Sequence, residues 1–156
     1  MRRFKTLYLL GLMMVLTAAG AISQGANFGE LILAQGFDAA KAVLNGHTGG
    51  SYSLSSLANA DRRGNPCIGY ATPNPDHVVI LKNNFSQLKL EVMSKNKDLT
   101  LVVRGPNKNT IFCSFASNNQ DNTVLENSNW KAGTYEVWVG SIQPGKRLNY
   151  RIRIEQ

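Results

Sequence analysis

The chain lacks the patterns on which most enzyme sites are built. It has no G-x-S-x-G, no H-E-x-x-H and no C-x-x-C, and only two histidines, His47 and His77, among 156 residues. A hydrolytic site needs a nucleophile, a base and an oxyanion donor in one place. Serines are numerous but scattered through low-complexity loops, so many triads can be drawn on paper and none carries a signal. Neither cysteine has a histidine patterned beside it, which argues against a thiol nucleophile. Lys and Arg form no stripe and no aromatics interleave with them, which argues against nucleic acid as a partner. The longest apolar run falls well short of the roughly 20 residues a membrane span needs, and no repeat or second domain is visible. The sequence reads as a non-enzyme.

What is present points to export. Arg2, Arg3 and Lys5 precede an apolar run from Leu7 to Leu16 and the small-residue segment Thr17-Ala18-Ala19-Gly20-Ala21. This order predicts a helical signal peptide over residues 1–21, cut near Ala21. No cysteine follows the run, so a lipid anchor is not expected, and the mature chain should keep no membrane span. The expected location is the periplasm or the cell exterior. Loss of the leader turns 17 basic against 10 acidic residues into 14 against 10, so the net charge falls from +7 to +4. Solvated strand faces account for that excess, with weak attraction to anionic envelope polymers as the alternative. Cys67 and Cys113, an even pair in an oxidising compartment, read as one disulfide.

The hydrophobic fraction of 43% is that of one globular domain. Its organising stretch is Trp130 to Ser141: a turn at Lys131-Ala132-Gly133, then Tyr135 to Val139, aromatic or β-branched apart from an outward Glu136, then Gly140. Further strands are expected near Gly29 to Phe37, Tyr52 to Leu54, Cys67 to Ala71, His77 to Leu81, Leu88 to Met93, Leu99 to Arg104, Thr110 to Cys113 and Leu148 to Ile154. Leu88, Leu90 and Val92 alternate with Lys89, Glu91 and Met93, the pattern of a half-buried antiparallel strand. Asp38 to Leu44 has helical composition, with Asp38 as N-cap and Gly46 as stop, but at two turns it should be a short helical turn or loop. Asn45 to Pro66 and the Asn-rich Ser114 to Asn129 read as surface loops. The expected fold is all-β, an antiparallel β-sandwich or jelly roll of about seven to nine strands.

The run Asp98-Leu99-Thr100-Leu101-Val102-Val103-Arg104-Gly105-Pro106 and the run Gly133 to Gly140, with Gly69-Tyr70, Pro75-Asp76-His77, Phe85 and Cys113 in order, resemble the bacterial pre-peptidase C-terminal domain family. The resemblance spans residues 28–156 and is nearest to small exported single-domain members. It implies a β-sandwich, frequently attached to secreted proteases, with some related domains binding calcium or aiding attachment to insoluble substrate. Similar stand-alone proteins carry an acidic cluster after the residue matching Cys113. Here Ser114 to Asn122 keeps one carboxylate, Asp121, and calcium wants roughly six to eight oxygen ligands. No cofactor is therefore expected, with calcium a weak alternative.

The candidate ligand-binding residues are Trp130, Asn118, Asn119, Asp121, Asp76 and His77. An aromatic ring beside adaptable amides suits a sugar ring or a peptide, although packing beneath the loop is the weightier role for Trp130. His77 could pair with Asp76, but a strand-edge side chain with one hydrogen bond is the commoner use; His47 is expected in a solvated loop. Trp138 is expected in the core. The reading is an exported non-catalytic module at the cell envelope, with an envelope polysaccharide or secreted protein as partner. The alternative is an accessory domain that targets, chaperones or inhibits a separate secreted peptidase.

Overall fold

The computed structural model describes residues 25–95, 98–116 and 122–156. The leader at 1–21, with its cleavage point, and the candidates Asn118, Asn119 and Asp121 lie outside the described residues. Eleven strands occur among those described: β1 (Glu30–Leu33), β2 (Val43–His47), β3 (Tyr52–Ser53), β4 (Tyr70–Ala71), β5 (His77–Leu81), β6 (Phe85–Met93), β7 (Leu99–Arg104), β8 (Ile111–Phe115), β9 (Thr123–Trp130), β10 (Gly133–Ser141) and β11 (Asn149–Glu155). A single 3₁₀ turn, Leu54–Ser56, follows β3. The strands form two facing sheets, as the sequence predicts for a β-sandwich.

The organising strand β10 is central. It pairs with β5 through Gly133 to Val137, with β7 through Glu136 to Ser141, and with β4 at Ser141. β1 adds beside β5, β8 beside β7 and β3 beside β4, giving a seven-stranded sheet. The second sheet has the order β2-β11-β6-β9. The pairing is antiparallel except for β1, which runs parallel to β5. Between the sheets lies the main core: Val79, Leu81, Leu101, Val103, Tyr135, Val137 and Val139 face Leu88, Leu90, Val92, Leu125, Ile152 and Ile154. Leu88, Leu90 and Val92 are buried, as their alternation predicts.

Trp138 is buried too, at 1% exposure, but not in that core. It stands on the same face of β10 as Glu136, the face turned away from the second sheet. There it packs with Leu54, Cys67, Ala71, Val102 and Cys113 in a separate cluster. The segment between β2 and β4 closes over this face, and the Cys67–Cys113 disulfide, with Cα atoms 5.1 Å apart, fastens it to β8. Arg104 places its guanidinium 5.0 Å from the centre of the Trp138 ring and binds Glu136 at 2.7 Å. The charge is thereby held over the ring face by its ion pair.

Four expectations are corrected. The described residues alone hold eleven strands, where about seven to nine were expected. Residues 43–47 are not helix or loop but β2, which places His47 at a strand end with Phe28 packed against it at 4.6 Å. The chain needs an edge strand beside β11, and that tertiary demand overrides the propensity of a short helical composition. Gly46 is no helix stop: a Cβ there would lie 2.7 Å from Cζ of Tyr150, so the missing side chain makes room for that ring. Finally, Thr123 to Trp130, expected as loop, forms β9 against β6. It turns Thr123, Leu125 and Trp130 inward, and as an edge strand it tolerates the outward Glu126, Ser128 and Asn129.

Candidate functional site

Asp76 and His77 open β5 at one end of the sandwich, and both are buried, at 3% and 0% exposure. They do not pair with each other. Asp76 accepts the Val139 amide through Oδ2 at 2.8 Å and the Asn27 amide group through Oδ1 at 3.1 Å. His77 Nε2 lies 3.0 Å from the Tyr150 hydroxyl, and its ring stands edge-on to Tyr150. Burial pushes the Asp76 carboxyl up to about 6, although the Val139 and Asn27 donors and the nearby His47 pull the other way. Burial likewise pushes the His77 imidazole down to about 4, so at neutral pH it is uncharged. The Tyr150 hydroxyl is raised by burial and by the nearby Asp76 carboxylate. Closed in this way, the pair does structural work: it ties the start of β5 to β10, β11 and the segment before β1.

Trp130 takes the packing role that the sequence favours rather than that of an exposed stacking platform. It is 3% exposed, its indole N–H donates to the Asn127 carbonyl at 2.9 Å, and its ring packs against Phe112 and Tyr135 at 4.9 and 5.1 Å. The Tyr135 hydroxyl donates to the Lys131 carbonyl at 2.8 Å and accepts the Lys131 amide, which fixes the turn into β10. Trp130 still shapes a site, because it and the half-buried Phe112 both line the floor of an open groove of about 370 Å³. The walls come from three places far apart in sequence: Asp61 to Arg63 of the disulfide-fastened segment, Pro106 to Phe112 of the β7–β8 connection, and Asn127 to Lys131 at the end of β9.

Asp61 builds one wall. Its carboxylate accepts the amides of Arg63, Asn65 and Cys113 and the side chain of Asn65. Burial acts to raise its pKa, but these hydrogen bonds outweigh burial and hold it below the usual value. The charge is used up in folding the wall. Arg63 reaches across to donate to the Glu126 carbonyl at 3.2 Å, covering the open edge of β9. Arg62, Asn107, Asn129 and Lys131 remain exposed around the groove. The arrangement offers an apolar floor with an amide and cationic rim, a combination suited to holding a polar ligand with one flat apolar face.

Of the sequence-stated candidates, then, Trp130 lies under this groove, while Asp76 and His77 lie apart in their own buried seam. Phe112, Arg62 and Arg63 went unread because nothing local marks them. They meet only when β7–β8 and the disulfide-fastened segment are brought beside β9. Among the described residues no group of three His, Cys, Asp or Glu side chains is placed to hold a metal ion, and no helix is long and apolar enough to cross a membrane.

No family model and no curated protein matches this chain. Among solved structures it is similar to the pre-peptidase C-terminal domain of a collagenase from Bacillus anthracis, at 11% identity over 81% of this chain and 94% of that one, with a TM-score of 0.46. The likeness carries no argument for what this chain binds or does.

Proposed function

We propose that the chain is an exported, non-catalytic binding module of the cell envelope, of the pre-peptidase C-terminal type, and that it holds a neutral or zwitterionic glycan in the groove floored by Phe112 and Trp130. The observation that carries this reading is the pairing of a partly exposed aromatic floor with the exposed amides of Asn107 and Asn129 in one built cleft. Sugar rings present a flat C–H face to an aromatic ring and hydroxyls to amides. The disulfide and the Asp61 hydrogen bonds hold the wall in place before any ligand arrives, which lowers the ordering cost of binding.

The test is co-sedimentation of the mature, oxidised protein with envelope and exopolysaccharide fractions of the producing cell. Saturable pelleting is expected, weakened about tenfold in Phe112→Ala, the scale of one aromatic contact, while circular dichroism of that variant stays native. Pelleting unchanged in Phe112→Ala would remove the groove from the reading. No pelleting with any fraction would remove the glycan, leaving the accessory role toward a separate secreted peptidase to be sought by pull-down.

A further inference from the structure

The outer face of the four-stranded sheet is divided by charge. At one end, across β6, β11 and β9, the carboxylates are engaged: Lys89 binds Glu155 at 3.1 Å and Glu91 at 3.9 Å, Arg153 approaches Glu155 at 3.8 Å, and Glu91 also accepts from Asn122 at 3.0 Å. The register then carries the face toward Met93, Arg151 and Asn45, which lie side by side on β6, β11 and β2. Here the acids stop. An open groove of about 850 Å³ is lined by Lys95, Arg147, Arg151 and Arg153, with Asn45 and Met93 between them and no acidic residue among its lining. Lys95, Arg147 and Arg151 are exposed. Arg151 is steadied by donating from Nε to Asn45 at 3.2 Å, a bond that does not use its two terminal nitrogens. The nearby Asp98 is engaged by Lys146 at 3.6 Å.

We infer that this cationic groove is a second binding site, for a linear acidic polysaccharide carrying repeated carboxylates or sulfates. It goes beyond the proposed glycan groove: the two share no lining residue, and this one has no exposed aromatic ring in its lining. Arg151 lies on the same face of β11 as Arg153, two residues and about 6.6 Å away, and since Arg153 is shared with Glu155, the site's free charge rests on Lys95, Arg147 and Arg151. Guanidinium forks favour planar carboxylates and sulfates. A phospholipid surface fits less well, because the exposed large apolar side chains Ile32, Ile68 and Ile142 all lie outside the groove. Nucleic acid fits less well because Tyr150 is buried and the groove offers no exposed ring on which a base could stack.

The experiment measures binding of the mature protein to polygalacturonate, with uncharged dextran and phosphatidylglycerol vesicles as parallel probes. Saturable binding to polygalacturonate is expected, lost at about 0.5 M salt through screening, and absent with dextran. The Arg147→Ala/Arg151→Ala double variant should weaken it about tenfold or more, given the strength of charge-assisted hydrogen bonds. Lys89→Ala at the neutralised end should leave it unchanged. Arg147 and Arg151 are exposed and Lys89 is half-buried, and the folding of both variants is checked by melting. No binding to polygalacturonate overturns the inference. So does equal loss in Lys89→Ala, which reports net charge rather than a site, and so does vesicle binding that polygalacturonate fails to displace. Phe112→Ala should leave polygalacturonate binding intact, so failure of the glycan groove and failure of this site are told apart.

Discussion

Breaking the Cys67–Cys113 bond will lower the unfolding free energy by about 4 kcal/mol, the chain-entropy value for a closed loop of this length. The two cysteines are 46 residues apart in sequence, and between them lie β4, β5 and β7 of the seven-stranded sheet and β6 of the four-stranded one. The loss should be visible where the bond acts. Leu54, Leu57, Ala58 and Ala71 cover Trp138 in a segment whose one covalent fastening to β8 is Cys67, and the ties that remain without it are hydrogen bonds, among them Leu54 to Gly69 at 2.9 Å, Cys67 to Asn59 at 3.1 Å, Asp61 to the Cys113 amide, and the β3–β4 and β4–β10 pairs. Urea denaturation of Cys67→Ser/Cys113→Ser against the oxidised protein, followed by tryptophan fluorescence, measures both effects. The emission should shift to the red before the main transition, as Trp138 meets water while Trp130 stays buried between the sheets. A change under about 1 kcal/mol would mean that the covering segment holds without its fastening. Thiol titration of the denatured, unreduced protein should find no free thiol.

Replacing Asp76 by Asn will make the protein acid-labile, although an acid has been removed. In the folded protein the Asp76 carboxyl titrates near 6 against an ordinary 3.8. The folded state therefore binds this proton more tightly than the unfolded chain does, and its contribution to stability is present below pH 3.8 and lost as the pH rises through 6. His77 behaves oppositely. Its folded value near 4 against 6.5 means that the folded state resists the proton, so its contribution is present above pH 6.5 and lost as the pH falls toward 4. Each shift of two units or slightly more corresponds to about 3 kcal/mol. The windows overlap, and in the native protein the two largely cancel.

In Asp76→Asn only the His77 dependence survives. Between pH 7 and pH 4 the variant should lose about 3 kcal/mol more than the native protein. His77→Gln, which can still meet the Tyr150 hydroxyl, should do the reverse and gain over the same interval. The other groups facing this seam are His47, the Tyr150 hydroxyl and the Asn27 amide, and all three are common to both variants. Urea titrations at the two pH values decide the matter. Parallel curves for native protein and Asp76→Asn would show that the buried pair does not govern the pH dependence.

Much of the sandwich was legible because its inner strands carry their burial in their order of residues. His77 to Leu81 and Leu99 to Arg104 are near-continuous apolar runs, and Leu88 to Met93 alternates cleanly, so both faces of each strand are declared locally. The two edge strands of the four-stranded sheet were not legible. β2 holds a glycine and an asparagine and β9 holds two asparagines and a serine, since an edge strand with one wet face needs few apolar residues. Trp138 shows the same limit within a correct reading: its burial was evident, but not that it lies outside the main core, beneath a segment that reads as loop. The candidate site suffered most. Phe112, Arg62 and Lys131 carry no signal for a binding role, and Trp130 could be read as packed but not as packed beside Phe112, because β9 looked like loop.

By itself the sequence determined the class of fold, the central strand, the paired cysteines and the absence of familiar catalytic motifs, each of which follows from residue type and spacing along the chain. Only the tertiary structure decided which surfaces exist. It sorted the charges of β6 and β11 into a neutralised end and a cationic end, buried Asp76 and His77 beside different partners, and floored a groove with Phe112 over Trp130. These outcomes depend on which strands become neighbours, and strand order is set by packing two sheets into one closed core.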